Sequence, residues 1–230
     1  MLLNLAYVLS QRTPFYRGLA APRVESLYSL AAGHDCNSYY LTTSNHAGTH
    51  VDAPRHFNAS GRRICEFGLD ELFFRRPALV DLQVAPGELI GEPSVEAMRI
   101  EPADCDILLL RTGLGRLRRN DPEAYVARGP GFDRGGAETI LRRCPSLRAL
   151  GVDFMSISAL EHPEEGAAAH RVFLGCAAYG DREVLLIEDM LLPPDLTAPE
   201  HLRVVPWLVE ELDSAPCSVL AEVRDLGILR

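Results

Sequence analysis

Runs of apolar residues and their alternation with polar ones predict more strands than helices in this chain. Residues 2–9 (LLNLAYVL) are apolar and β-prone, 24–31 alternate loosely, and 38–43 (SYYLTT) are aromatic and β-branched, as half-buried strands are. Pro14, Gly18 and Pro22 punctuate the loops between them. Residues 78–84 and 106–111 (DILLLR) are short apolar runs bounded by turn signals, the pattern of a strand covered on both faces. Further strands are predicted over 149–153, 183–187, 202–209 and 217–223. Three stretches have helical character. Asp121-Pro122-Glu123 opens one, with Asp as N-cap and Pro in the first helical position. Residues 136–144 (GAETILRRC) form the second, with arginines in the last turn where the helix dipole favours them, and 166–174 a short third. The order does not alternate regularly, which excludes a regular β/α barrel. It predicts an α/β fold, a mixed sheet with a few packed helices.

No repeat, low-complexity tract or composition shift marks a linker, so one domain over 1–230 is expected. Hydrophobic residues make up 47% and charged residues 24%, the balance of a soluble globular protein. Net charge is −9, spread along the chain, and every basic residue is arginine. Without a basic stripe, nucleic acid is not an expected partner. No apolar run approaches the ~20 residues that span a bilayer, so no membrane partner is expected either. The apolar start, residues 1–10, lacks a positive leading region and reads as a strand and not as a signal peptide. Six cysteines are scattered singly with no C-x-x-C pair, which fits mostly buried small hydrophobes in a reducing cytoplasm. A cytoplasmic location follows as the expectation.

The chemistry concentrates in one segment, His46-Ala-Gly-Thr-His50-Val-Asp52-Ala-Pro-Arg-His56. Imidazole nitrogen and carboxylate oxygen are the usual ligands of Zn and also suit Mn. His50 and Asp52 are two apart, so on an extended segment they share a face. Gly48 lets the backbone bend so that His46 can close on the same ion, and Pro54 holds Ala53 extended on the way to His56. Three N/O ligands leave positions open for water and substrate, the mark of a catalytic site. A single histidine beside an aspartate is usually a surface or capping pair. Three histidines and an aspartate packed around Gly-Thr and Ala-Pro are much harder to obtain without function.

The string HAGTHVDAPRHF resembles the H-x-G-T-H-x-D-x-P-x-H signature of the cyclase family, whose members include formamidases, isatin hydrolases and polyketide-pathway cyclases. Weaker likenesses are Thr13-Pro14-Phe15-Tyr16 with Gly18, Leu110-Arg111-Thr112-Gly113, and Gly151-Val152-Asp153 with Ser156. The resemblance implies the family's mixed-sheet β/β/α fold, assembled as homodimers or higher oligomers. It implies that His46, His50 and Asp52 are ligands of a divalent metal, Zn or Mn, and that His56 is the catalytic proton shuttle. His170 and Glu188 are implied as ligands of a second ion, although the distance between them is longer than the family pattern, with 176–182 as extra loop. That insertion leaves open whether one or two ions bind. The implied reaction is hydrolysis of a small-molecule amide, an aryl formamide or a cyclic lactam. A secondary-metabolite cyclase or lyase, and a non-catalytic metal-binding relative, are the alternatives.

Three other features carry less. Asp153 could support a ligand histidine or simply cap a turn, and His162 with Glu164 and Glu165 reads as a solvated loop. Gly129-Pro-Gly131 and Gly135-Gly136 look like a glycine-rich loop, but with no Lys anywhere a phosphate-binding P-loop is excluded.

Overall fold

A computed structural model describes residues 1–224; the end of the expected domain, 225–230, lies outside the described residues. The chain begins with β1 (Leu2–Asn4), then a hairpin of β2 (Arg23–Tyr28) and β3 (Ser38–Thr42), then β4 (His50–Asp52). After β5 (Phe73–Phe74), β6 (Pro77–Asp81) and β7 (Leu89–Ile90) come α1 (Glu92–Glu96), β8 (Ile107–Arg111), α2 (Gly115–Asn120) and α3 (Pro122–Ala127). Then follow β9 (Gly131–Phe132), α4 (Arg134–Arg143), β10 (Ala149–Val152) and α5 (Pro163–Phe173). The described chain closes with β11 (Leu185–Glu188), β12 (His201–Pro206) and β13 (Ser214–Glu222).

One mixed nine-stranded sheet has the order β5-β12-β13-β4-β11-β10-β8-β6, with β1 also paired to β13. Strands β6, β8, β10 and β11 run parallel, while β4 is antiparallel to both β11 and β13. The two-residue side-chain period divides the core cleanly. Leu108, Leu110, Leu150, Val152 and Leu186 face α4 and α5, where Ile140, Ala169, Val172 and Phe173 cover them. Ile107, Leu109, Ala149, Leu185 and Ile187 point the other way, onto Val51, Phe74, Leu202 and Val219. The expected α/β class and mixed sheet are therefore present.

Several boundaries differ from the sequence pattern, each for a tertiary reason. The first strand stops at Asn4, because the Tyr7 N–H leaves the ladder to donate to Thr49 Oγ1 at 3.0 Å. Asp133 caps α4 by accepting from the Gly136 N–H at 2.7 Å, so the helix starts ahead of 136. Pro163 in its first turn begins α5 ahead of 166. Helices α1 and α2 are too short to show a period, and contacts from elsewhere hold them: Arg142 bridges Glu92 and Glu96, and Arg118 pairs with Asp189. The cysteines are all free, but only Cys105, Cys144 and Cys217 are buried, since Cys36 is exposed and Cys65 and Cys176 lie part-way.

Candidate metal centre

Strand β4 brings the first ligands. It lies between β11 and β13 with His50 opposite Glu188 and Pro216, and Asp52 opposite Leu186 and Ser214. Val51 turns into the core on the reverse face, so His50 and Asp52 share the other, and the cross-strand pairing sets the Glu188 carboxylate beside the His50 ring. The separation from His50 Nε2 to Glu188 Oε2 is 3.4 Å. Gly48 supplies the bend before the strand, with φ +65°, and its carbonyl accepts from His50 Nδ1 at 2.8 Å. That bond leaves Nε2 aimed at the carboxylates.

His46 closes back across the bend, its Nδ1 3.1 Å from Asp52 Oδ1. Ala53 is extended, as a residue before proline must be, and the turn Pro54–His56 swings His56 over His46 with ring centroids 4.4 Å apart. His170, in the last turn of α5, is buried and donates its Nδ1–H to the Gly166 carbonyl at 2.7 Å. Its Nε2 stands 3.6 Å from Glu188 Oε1. The same Glu188 oxygen accepts from the Ile157 N–H at 2.7 Å and from Ser156 Oγ at 3.1 Å. Phe57 stacks on His170 at 4.6 Å and forms one wall of a cavity of about 260 Å³.

His50 Nε2 and both Asp52 oxygens are buried with no hydrogen-bond partner among the described residues. An unpartnered buried carboxylate is costly, and a divalent cation would satisfy it. The donor set fits such a cation: nitrogen and oxygen atoms of His50, Asp52 and Glu188 lie within 4.8 Å of one another, and so do those of His46, Asp52 and His56. Asp52 belongs to both groups, which suits one ion or two. His170 stands beside Glu188 but completes neither group, whereas His56 belongs to the second one, farther from Asp52 than His46 and His50 are. Five of the six residues singled out in the sequence line one cavity, across the longer 176–182 loop, and the sixth, Asp52, is buried beside His46 and His50.

The electrostatics follow from burial set against charge. Burial alone would push His50 down, yet Asp52 and Glu188 outweigh it and hold the imidazolium up at about 9. Asp52 is driven up by burial, but His50, His56 and His46 hold it well below the usual carboxylate range. Burial pushes Glu188 up, but the His170 and His50 rings beside it outweigh burial and hold it down at about 2. His56 is raised against burial by Asp52 and Asp213.

Asp213 was not visible in the sequence. It precedes β13 and accepts from His56 Nδ1 at 2.7 Å, while its other oxygen accepts from the Asn45 amide at 2.8 Å. Only the pairing of β13 with β4 joins positions so far apart, and one more acid in the run Glu210-Glu211-Leu212-Asp213 carries no signal. The weaker candidates resolve as structural. Asp153 accepts from Thr112 N and Oγ1 and from Gly113 N, and so fixes a turn. His162, Glu164 and Glu165 are exposed at the head of α5. Gly131 and Gly136 are pressed against Ala159 and the Ile90 carbonyl, a packing reason for glycine.

The family described as "Putative cyclase" matches residues 3–159, and the chain belongs to the cyclase family. It is 28% identical to a kynurenine formamidase of Bacillus cereus over 186 residues, covering 81% of this chain and 79% of that protein. Among solved structures it shares its fold with an isatin hydrolase bound to the product analogue thioisatinate, at TM-score 0.76 and 16% identity over 96% of this chain and 92% of the other. A "predicted metal-dependent hydrolase" from Bacillus stearothermophilus gives TM-score 0.68 at 19% identity, covering 96% and 97%.

Proposed function

We propose that this protein is a metal-dependent hydrolase of a small amide, an aryl formamide or a cyclic amide of the lactam type. The observation that carries this is the buried, unpartnered set of His50 Nε2 and the Asp52 oxygens at the base of a cavity. Similarity to kynurenine formamidase supports the formamide class, and the shared fold with isatin hydrolase supports a cyclic amide. His46, His50 and Asp52 would hold a Zn or Mn ion, with Glu188 and His170 completing the place of a second. When bound, the ion supplies Lewis-acid polarisation of the amide carbonyl and acidifies water by many orders of magnitude.

The chain's own residues do the rest. Asp213 accepts the His56 Nδ1 proton, which fixes the ring and leaves Nε2 to exchange protons in the cavity. Nε2 takes a proton from water and returns it to the departing nitrogen, because an amide nitrogen leaves poorly unless protonated. Phe57, stacked on His170, offers a flat wall for an aromatic or cyclic body. We further propose a homo-oligomer, supported by the β2–β3 hairpin, whose β2 is exposed along its whole length with Val24, Leu27 and Tyr28 uncovered.

Elemental analysis of purified protein, combined with a screen of formanilides, lactams and lactones, tests the reading. Bound Zn or Mn and chelator-sensitive amide cleavage are expected. A fully active preparation free of metal would overturn it, and turnover of an enolisable ketide added to the screen, with no amide cleaved, would favour the cyclase or lyase alternative.

A further inference from the structure

A second cavity, of about 470 Å³, shares no lining residue with the histidine cavity and is the larger of the two. Its volume lies within the ~300–1,000 Å³ typical of ligand sites. Three arginines line it, and only one is neutralised. Arg111 makes a bidentate pair with Asp81 at 2.5 and 2.9 Å and donates its remaining N–H groups to the Pro193 and Leu196 carbonyls. Arg116 and Arg119 project from α2 into the same cavity, and no carboxylate among the described residues pairs with either. Both side chains are exposed, and two like charges at this spacing on a helix repel each other weakly, a repulsion that an anion between them would relieve.

Apart from Asp81, which Arg111 pairs, the other lining residues are apolar or neutral, Leu82, Leu191 and Leu192 among them. Tyr7 adds a hydroxyl without a competing negative charge, because burial and then Asp189 push its phenol up to about 12. Its ring lies 3.7 Å under the Arg118 guanidinium, and its backbone N–H bonds Thr49, the neighbour of His50. Arg118 in turn grips Asp189, the neighbour of Glu188, at 2.6 Å. The cavity is thus tied to both ends of the candidate metal centre.

We infer that this cavity is a second ligand site, built for a small organic anion: a carboxylate held by Arg116 and Arg119, with an apolar body against the leucine wall. Guanidinium forks are suited to hold a carboxylate through paired N–H donors. The test is calorimetric titration of the full-length, metal-loaded protein with benzoate, with inorganic phosphate and with benzyl alcohol. Benzoate is expected to bind saturably, at least roughly tenfold tighter than either control, and the R116A/R119A double variant to weaken it by roughly tenfold or more. No saturable binding of benzoate overturns the inference. Benzoate binding unchanged in the double variant also overturns it, since the anion then sits at the histidine cluster. Phosphate binding as tight as benzoate overturns the assigned class. Should the double variant not fold, crystals grown with 4-bromobenzoate decide, because the anomalous signal of bromine lies either beside Arg116 and Arg119 or elsewhere.

Discussion

Asp52 illustrates how much a single residue carries here. It shares a strand with His50, faces His46 and His56, and leaves both oxygens buried without a hydrogen-bond partner among the described residues. At the residue scale the two roles in the cavity separate by substitution. If His56 is the proton shuttle, His56→Ala retains metal and loses roughly 10²–10⁴-fold in rate, the range of general acid–base catalysis. Metal content falling in step with activity would instead make His56 a ligand, a role its proximity to Asp52 and His46 also permits. Asp213→Asn removes the negative charge beside His56 but keeps an acceptor for Nδ1. Rate is expected to fall roughly 10–100-fold, as for partners that orient site histidines. Because Asp213 helps to raise His56, its loss lowers the histidine's pKa, and the corresponding limb of the pH–rate profile moves to lower pH. A profile that stays in place would remove Asp213 from the proton path.

At the scale of elements, the position of α5 decides whether His170 reaches the site. Gly166 is the residue that lets the helix approach: a Cβ there would collide with Ser158, and its carbonyl also orients His170. Gly166→Ala is therefore expected to push the helix outward. Overpacking of this kind destabilises by roughly 1–3 kcal/mol, read as a lower denaturant midpoint, and His170 should withdraw from Glu188. With two ions bound, the variant is expected to lose about one equivalent of metal while the ion on His46, His50 and Asp52 remains. Equal metal content in variant and parent would show that α5 does not contribute to binding. Strand β4 is the other decisive element. It has only three residues, His50–Asp52, and is held in register by two antiparallel neighbours, which is why its polar side chains can be buried at a fixed spacing.

At the scale of the whole molecule, the β2–β3 hairpin is one feature that the described fold leaves uncovered. Its exposed residues include Leu27, Tyr28, Tyr39 and Tyr40, and isolated two-stranded hairpins are marginal in water. Sedimentation equilibrium is expected to give a mass twice that of the chain or a higher multiple, and Tyr40→Glu with Leu27→Glu to shift it toward the monomer. A monomeric parent protein would withdraw the proposed oligomer. Across the molecule, the nine-stranded sheet serves as a frame, with one face buried against helices and the candidate metal site lying where β4, β11 and α5 meet.

Much of this was legible in one dimension because some constraints are local. The two-residue period of DILLLR places alternate side chains on opposite faces of a sheet, and the structure divides Ile107 and Leu109 from Leu108 and Leu110 in that way. Gly48, Asp52, Pro54 and the three histidines lie within a short span, where backbone geometry alone brings donors together. The pairing of His170 with Glu188 was suggested only by family resemblance, and their approach depends on helix α5 packing against β11. Asp213, Asn45 and Ser156 as partners of the site were set by strand register between segments far apart in the chain. Sequence by itself determined most of the longer elements, the alternation of the core and the cluster of donors, since these follow from neighbouring residues. Only the tertiary structure decided which acids face those donors, because burial and long-range pairing alone say which charges must meet.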